Sequence, residues 1–511
     1  MPKAPRLQAA PSKHPRRLST LAGLMALKGL MALNGLMALN GLMALTGLMA
    51  LAGLIACGAP GEGEPNGAVQ PNVVLIVLDT TRADILSPYG YSKPTSPALA
   101  RVAAQGVLFR QAMSTDFWTL PSHASLLTGK YPVQHQATSE TNRLDEGIET
   151  LAESLHGAGY RTRAYVSNAW LGAERGFGQG FETYIETWKS APGDYNSDKA
   201  GIEGSQAWIE ALAEEEEPFF LFLNLNSAHM PYSPDPSTLV GLSPGPRPIE
   251  KTRELREIKG MWAHLGGAYA LGESDFEILE DLYAAEVARV DQLVGQLVSS
   301  LDKKGILDRT LLIITADHGE NLGEHGMVDH LLSMYEPTIR VPLIMRYPPT
   351  FPASLERDEL VSLVDIMPTV LDICGLDAED DKIAGISLAS PDGPGHEFVI
   401  AENGRPINGI DLMKKNFPLF DTGSIDHRMK MLRTPRHKLI WYDDERVELY
   451  DLESDPEELH DLATEDPALK AEMLGQLRLW VASQESLPPP KPLEITDPDT
   501  QERLRALGYI E

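Results

Sequence analysis

Three polar signatures each follow an apolar run. Residues 72–78 (NVVLIVL) lead into Asp79-Thr80-Thr81-Arg82, and residues 310–315 (TLLIIT) lead into Ala316-Asp317-His318-Gly319-Glu320. Residues 218–225 lead into Asn226-Ser227-Ala228-His229-Met230-Pro231-Tyr232. Asp79, Asp317 and His318 are hard oxygen and imidazole donors, a set suited to a divalent cation such as Mn, Zn, Mg or Ca. An aspartate at a strand end also commonly caps the following helix, so residue type alone leaves both roles open.

These residues need elements that deliver them to one place. Continuous apolar, β-branched runs are strands covered on both faces. Open parallel α/β sheets carry their sites at the C-terminal ends of such strands. Between them, Ile278, Leu282, Ala285, Val290, Leu293, Val294, Leu297 and Leu301 share one helical face, and Gly305 stops that helix. Alternating strands and helices predict an α/β fold, a doubly wound, mostly parallel sheet flanked by helices. Pro121 favours a helix start, which sets Thr119 at the positive end of that helix, where an alkoxide or an incoming anion is stabilised. Simple capping is the alternative role for Thr119. Residues 233–275 read as a solvated surface loop, with a loop that shapes the substrate entrance as the alternative, 214–217 as a solvated helix end, and Cys374 as a core thiol.

Seven collinear segments resemble the sulfatase family of the alkaline phosphatase superfamily. They are PNVVLIVLDTTRAD (71–84), TLPSHASLLTGKYP (119–132), ITADHGENLGEHG (314–326), RVPLIMRYP (340–348), VSLVDIMPTVLDICGL (361–376), VELYDLESDPEELHDL (447–462) and the terminal ERLRALGYIE. The resemblance implies a catalytic domain over 71–375. A smaller C-terminal α+β unit with its tail, a short antiparallel sheet plus a helix, follows over 376–511, with Leu449 and Tyr450 in a turn. It also implies Asp79, Asp317 and His318 as metal ligands, with Thr119 reaching the same ion. One metal site is expected; a second, using His325 and His330, is an alternative.

The departures from the family pattern are as informative. Many sulfatases carry a second Asp where this chain has Thr80. Their nucleophile is a cysteine converted to formylglycine in Cys-x-Pro-x-Arg; here Thr119 stands at the cysteine and His123 at the arginine. Neither Cys57 nor Cys374 is near in sequence. A threonine there resembles the phosphodiesterases and the phosphoethanolamine or phosphoglycerol transferases of the superfamily. A nearby metal lowers an alcohol's pKa and makes it a nucleophile. His229 matches a substrate-side histidine that protonates a leaving oxygen or contacts the anion; an ordinary buried histidine is the other reading. His123 either replaces the arginine as an anion contact or packs on its helix. His330 falls near a sulfate-binding lysine of the family. Asn168, where the family's Gly-Lys-Trp-His is missing, either donates to a phosphoryl oxygen or makes a turn. Arg82 reads as structural. The expected activity is metal-dependent cleavage of phosphate mono- or diesters through Thr119. Sulfuric ester hydrolysis, headgroup transfer to an acceptor alcohol, and an inactive surface-anchored binding protein are the alternatives.

Composition bounds the partners. Of 511 residues, 44 are Lys or Arg and 73 are Asp or Glu, a net charge of −29, which argues against nucleic acid. The substrate class that remains is a small-molecule, lipid or glycan ester. Two cysteines rule out a disulfide scaffold and a four-cysteine zinc site. Residues 1–56 hold basic but no acidic side chains, and repeat Gly-Leu-Met-Ala-Leu-x from Gly23 up to Cys57. This resembles a bacterial lipoprotein signal peptide with Cys57 lipidated, or else an uncleaved anchor. Either places the enzyme outside the cytoplasm and on a membrane, facing the periplasm or the cell exterior, with residues 57–70 as a flexible tether.

Overall fold

The strands of the catalytic body are, in chain order, β1 (Asn72–Leu78), β2 (Val107–Met113), β3 (Arg161–Val166), β4 (Thr183–Glu186), β5 (Phe219–Leu225) and β6 (Thr310–Thr315). The short pair β7 (Asn321–Leu322) and β8 (Val328–Asp329) follows, then β9 (Arg340–Arg346) and β10 (Leu355–Ser362). They come from a computed structural model that describes residues 70–507, apart from positions 192, 213–216, 244–247, 257–263, 269, 331, 378–382 and 485–487. The leader, Cys57, the tether through position 69 and the acidic run at 214–216 lie outside the described residues.

Eight strands form one sheet in the order β10-β2-β9-β6-β1-β5-β3-β4. Only β9 runs antiparallel to its neighbours; every other pair is parallel. Pleating sends alternate side chains to opposite faces. Val73, Leu75 and Val77 of β1 enter one core with the helices Thr119–Thr128, Leu151–Gly157 and Ile366–Cys374. Val74, Ile76 and Leu78 enter the other with the helices Pro97–Ala103, Asp194–Leu212 and Glu273–Lys303. This is the doubly wound α/β fold expected. The predicted stripe of the long helix is buried throughout, and the helix ends two residues before Gly305, whose φ is +68°.

A second, four-stranded antiparallel sheet follows: β11 (Val399–Asn403), β12 (Met429–Arg433), β13 (His437–Tyr442) and β14 (Val447–Asp451). The helix Pro467–Ser483 covers it through Met473 and Leu477. Leu449 and Tyr450, expected in a turn, are inside β14 instead. Their alternation explains it: Leu449 faces the covering helix, and Tyr450 faces Tyr335 on the other side. The expectation of a solvated loop over 233–275 is likewise corrected. Asp235 accepts from the Thr238 N–H and caps a helix at Pro236–Leu242, and a second helix spans Ile249–Leu255. Leu239 and Leu255 are buried in the same core as the long helix. The helix Pro498–Ala506 returns to the catalytic body and buries Leu504 there.

One buried ion cluster ties the small sheet down. Lys438 of β13 is 0 % exposed and pairs with Glu336 at 2.9 Å and Glu458 at 2.8 Å, while donating to the Met334 carbonyl at 3.1 Å. Removing one member of such a cluster leaves buried charge uncompensated. Lys438→Met should therefore lower the unfolding free energy by about 3–5 kcal/mol, read by urea denaturation at neutral pH. A loss under about 1 kcal/mol, the range of exposed pairs, would show that the cluster does not hold the sheet.

Candidate active site

Strand register brings the polar signatures to one level. β3, β5, β1 and β6 are adjacent and parallel, with Val166 opposite Asn224, Leu78 opposite Leu225 and Val77 opposite Thr315. Asp79, Asn168, Asn226 and Asp317 thus leave the sheet along one edge. The chain leaving β2 enters the helix Thr119–Thr128 at Thr119 itself, and Ser114 on the way donates its hydroxyl to the Asp317 carbonyl. All ten residues of that helix are buried, so its N-terminal end points into the protein.

Asp79, Asp317 and His318 each offer a ligand atom, all within 4.8 Å of one another. Each carboxylate has one oxygen saturated. Asp79 Oδ2 accepts from Asn168 Nδ2 at 2.9 Å and Asn224 Nδ2 at 3.0 Å. Asp317 Oδ1 accepts from the backbone N–H of Thr80 at 3.1 Å and of His318 at 2.9 Å. The second oxygens, Asp79 Oδ1 and Asp317 Oδ2, are buried without a hydrogen bond. Burial, and for Asp79 the neighbouring Asp317, pushes the two carboxyls up to about 6 and about 7. A divalent cation fits this donor set: it takes hard oxygens and imidazole, and it offsets two buried charges. Among the described residues no second set of this kind occurs.

Four histidines surround the centre, and backbone carbonyls fix the tautomer of each. Nδ1–H donates to Thr119 O from His123 (2.8 Å), to Met230 O from His229 (2.6 Å), to Gly319 O from His318 (3.0 Å) and to Phe117 O from His330 (3.1 Å). A carbonyl only accepts, so Nδ1 carries the proton and Nε2 is turned inward. His318 Nε2 lies 3.4 Å from Thr119 Oγ1. His229 and His330 face each other, Nε2 to Nε2, at 3.3 Å. Burial lowers all four, His123 to about 4 and His318 to about 3. They are neutral near pH 7.

The predicted residues therefore converge. Asp79, Thr119, His123, Asn168, His229, Asp317, His318 and His330 share one centre, none more than 2 % exposed. Asn168 makes the turn foreseen for it and also points its amide at the centre. Its Oδ1 accepts from the Trp170 N–H in a turn, and its Nδ2 lies 3.4 Å from Thr119 Oγ1. His123 packs within its helix and lies 3.4 Å from Asp317 Oδ2. His325 lies elsewhere, stacked on Tyr335 at 3.7 Å between ring centres. Arg82 is structural, donating to Asp84, Glu324 and the Glu320 carbonyl. Sequence reasoning missed Asn224 and the role of Asn226. The signal was present: Asn224 is the one polar residue in the buried run FFLFLNL.

Comparison with known proteins adds the family. The Sulfatase family matches residues 71–376, and the family described as N-sulphoglucosamine sulphohydrolase, C-terminal, matches residues 323–480. Arylsulfatase K of Bos taurus is 24% identical over 469 residues, covering 83% of this chain and 85% of its own. N-acetylglucosamine-6-O-sulfatase of Bacteroides thetaiotaomicron is 25% identical over 481 residues, covering 77% and 82%. The phosphonate monoester hydrolase of Agrobacterium radiobacter has the same fold, with a TM-score of 0.64 at 23% identity over 81% of this chain and 96% of that one. With its sheet, its C-terminal unit and more than half its length matched, the chain belongs to the sulfatase family of the alkaline phosphatase superfamily, and is a hydrolase of that family.

Proposed function

We propose that this hydrolase cleaves phosphate mono- or diesters with Thr119 as nucleophile and a divalent metal on Asp79, Asp317 and His318. The observation that carries the reading is the identity and placement of Thr119. It is the first residue of a buried helix, and its hydroxyl stands between His318 and Asn168 at the strand ends. Formylglycine forms from a cysteine or, in some systems, a serine at that position, and Thr119 is neither; Cys374 closes the helix Ile366–Cys374 in the core. A bound metal supplies the positive charge that keeps both carboxylates ionised and favours the threonine alkoxide.

Thr119 Oγ attacks phosphorus, and the bond to the leaving alcohol oxygen breaks. The facing Nε2 atoms of His229 and His330 both lack a proton in the neutral imidazoles, so the pair would take up the proton that Thr119 gives up and pass it to that leaving oxygen. Asn168 Nδ2, 3.4 Å from Thr119 Oγ1, is the amide donor beside the attacking oxygen, whereas His123 has given its N–H to the Thr119 carbonyl and donates nothing there. Water then hydrolyses the phosphothreonine. A sulfate ester is the second reading, favoured because the similar curated proteins are named as sulfatases. We also propose export and membrane attachment through Cys57, on the strength of the leader sequence.

Thr119→Ala should lower turnover of bis-p-nitrophenyl phosphate by about a thousandfold or more, with the metal still bound through Asp79, Asp317 and His318. Thr119→Ser should keep part of the activity. Dominant p-nitrophenyl sulfate cleavage by the unsubstituted protein would overturn the phosphoryl reading.

Metal dependence has a definite pH sign. In the metal-free fold Asp79 and Asp317 hold protons up to about pH 6 and 7, whereas unfolded they ionise near 4. The metal-free protein therefore loses stability as pH rises through that interval. A cation needs both carboxylates ionised, so its stabilising effect grows over the same interval. The rise in melting temperature on adding Mn after chelation should be larger at pH 8 than at pH 5. An equal rise at both would exclude these two carboxylates as ligands.

A further inference from the structure

The amide that Asn168 presents to Asp79 and Thr119 is held from outside the centre. Asn168 Nδ2 donates to Asn226 Oδ1 at 3.1 Å as well as to Asp79. Asn226 in turn donates its Nδ2 to Asp194 Oδ1 at 2.7 Å. Asp194 is the first residue of the helix Asp194–Leu212, and the same oxygen accepts from Arg503 of the C-terminal helix Pro498–Ala506. One turn along, Asp198 accepts the backbone N–H groups of Asn226 and Ser227 at 2.8 Å each. The chain of bonds runs from Arg503 through Asp194, Asn226 and Asn168 to Asp79.

Each link has a polarity. A carboxylate only accepts, so Asp194 forces Asn226 to turn its Nδ2 outward and its Oδ1 toward Asn168. With Asp194 gone, Asn226 is free to flip. Its Nδ2 would then meet Asn168 Nδ2, donor against donor, and turn the Asn168 amide off Asp79. Arg503 pairs with Asp194, whose side chain is 15% exposed, and so holds the carboxylate in place.

On the reading that Asp79 and Thr119 form the reacting centre, we propose that Asp194 is a positioning residue for it, held by Arg503 and acting through Asn226 and Asn168. The C-terminal helix is then part of the working enzyme, although it supplies no group to the reacting atoms.

The test is a double-mutant cycle on the full-length, Mn-loaded protein. The assay uses bis-p-nitrophenyl phosphate, or p-nitrophenyl sulfate if that is the ester turned over. Asp194→Ala should lower kcat roughly 10- to 100-fold, the scale of small misplacements at an active centre, with KM changed less than about threefold. Asp194→Asn, which keeps an accepting oxygen, should recover most of that loss. Asn168→Ala should be impaired on its own, and adding Asp194→Ala should cost nothing more, because the relay ends at Asn168. Arg503→Gln, a milder change, should give a smaller loss that also vanishes in the Asn168→Ala background. Thermal melting of each variant checks the fold. Losses that multiply in the double variants, or an unchanged kcat in Asp194→Ala, would overturn the proposal. Full activity in Thr119→Ala would instead sink the functional reading, and it is scored separately from the cycle.

Discussion

Two carboxylates in a dry centre are the constraint to which the rest of this molecule answers. Asp79 and Asp317 are both 0 % exposed and close enough to share an ion. Charge so buried is costly unless paired. The protein meets half of the need: amide and backbone N–H donors saturate one oxygen of each carboxylate. The other half is left open, with the remaining two oxygens lacking hydrogen bonds. The four histidines around the centre do not fill the gap, since the same burial keeps them neutral. An inorganic cation is the remaining source of positive charge.

That constraint explains why the centre sits on the stiffest part of the fold. Four adjacent parallel strands, covered on both faces, end in register beneath it. The antiparallel strand β9 adds a clamp from the other direction. The helix leading into it supplies the Thr338 carbonyl that receives the Gly319 N–H at 2.8 Å. A Cβ at Gly319 would come within 1.9 Å of the Pro337 carbonyl oxygen, so only glycine permits that approach beside His318. Arg82 fixes the same turn by donating to the Glu320 carbonyl and to Glu324. A metal site needs ligands held to a fraction of an ångström, and these contacts hold the loop that carries two of them.

What was legible in the sequence follows from how local each signal is. Asp79, Asp317 and His318 each end an apolar run, so their strand and its direction could be read from neighbours alone. Thr119 was legible because a proline two residues on marks the helix start. Asn224 was harder, since a lone asparagine in an apolar strand gives no clue to its partner, which lies 145 residues away. Asp194 and Arg503 are 309 residues apart, and no local pattern pairs them. Tyr450 was misplaced because an edge strand of five residues has a weak period and polar flanks resembling a turn. Residues 233–275 were misread for the opposite reason. Their proline and charge content suggested a loop, while the decisive Leu239 and Leu255 are single apolar residues whose burial depends on the long helix.

Thr80 bears most directly on which ester suits this centre. Where many sulfatases have a second aspartate, this chain bends through a left-handed residue, with φ +54°, a conformation a β-branched side chain rarely adopts. Its carbonyl accepts from the Tyr283 hydroxyl at 2.7 Å, and its N–H goes to Asp317. These bonds hold the strain, as is common at functional sites. The position thus supplies a backbone donor to Asp317, and its side chain adds no carboxylate to the centre. Two carboxylates and a neutral imidazole around a doubly charged cation leave no excess negative charge. A third carboxylate would leave one, facing the incoming anion. A sulfate monoester carries one negative charge, but a phosphate monoester carries up to two and is repelled more strongly by any surplus. Losing a carboxylate at position 80 and replacing the cysteine at position 119 by threonine therefore act in the same direction. On the proposed phosphoryl reading, the first would ease approach of a more highly charged phosphoryl group, and the second would supply an alcohol to attack it.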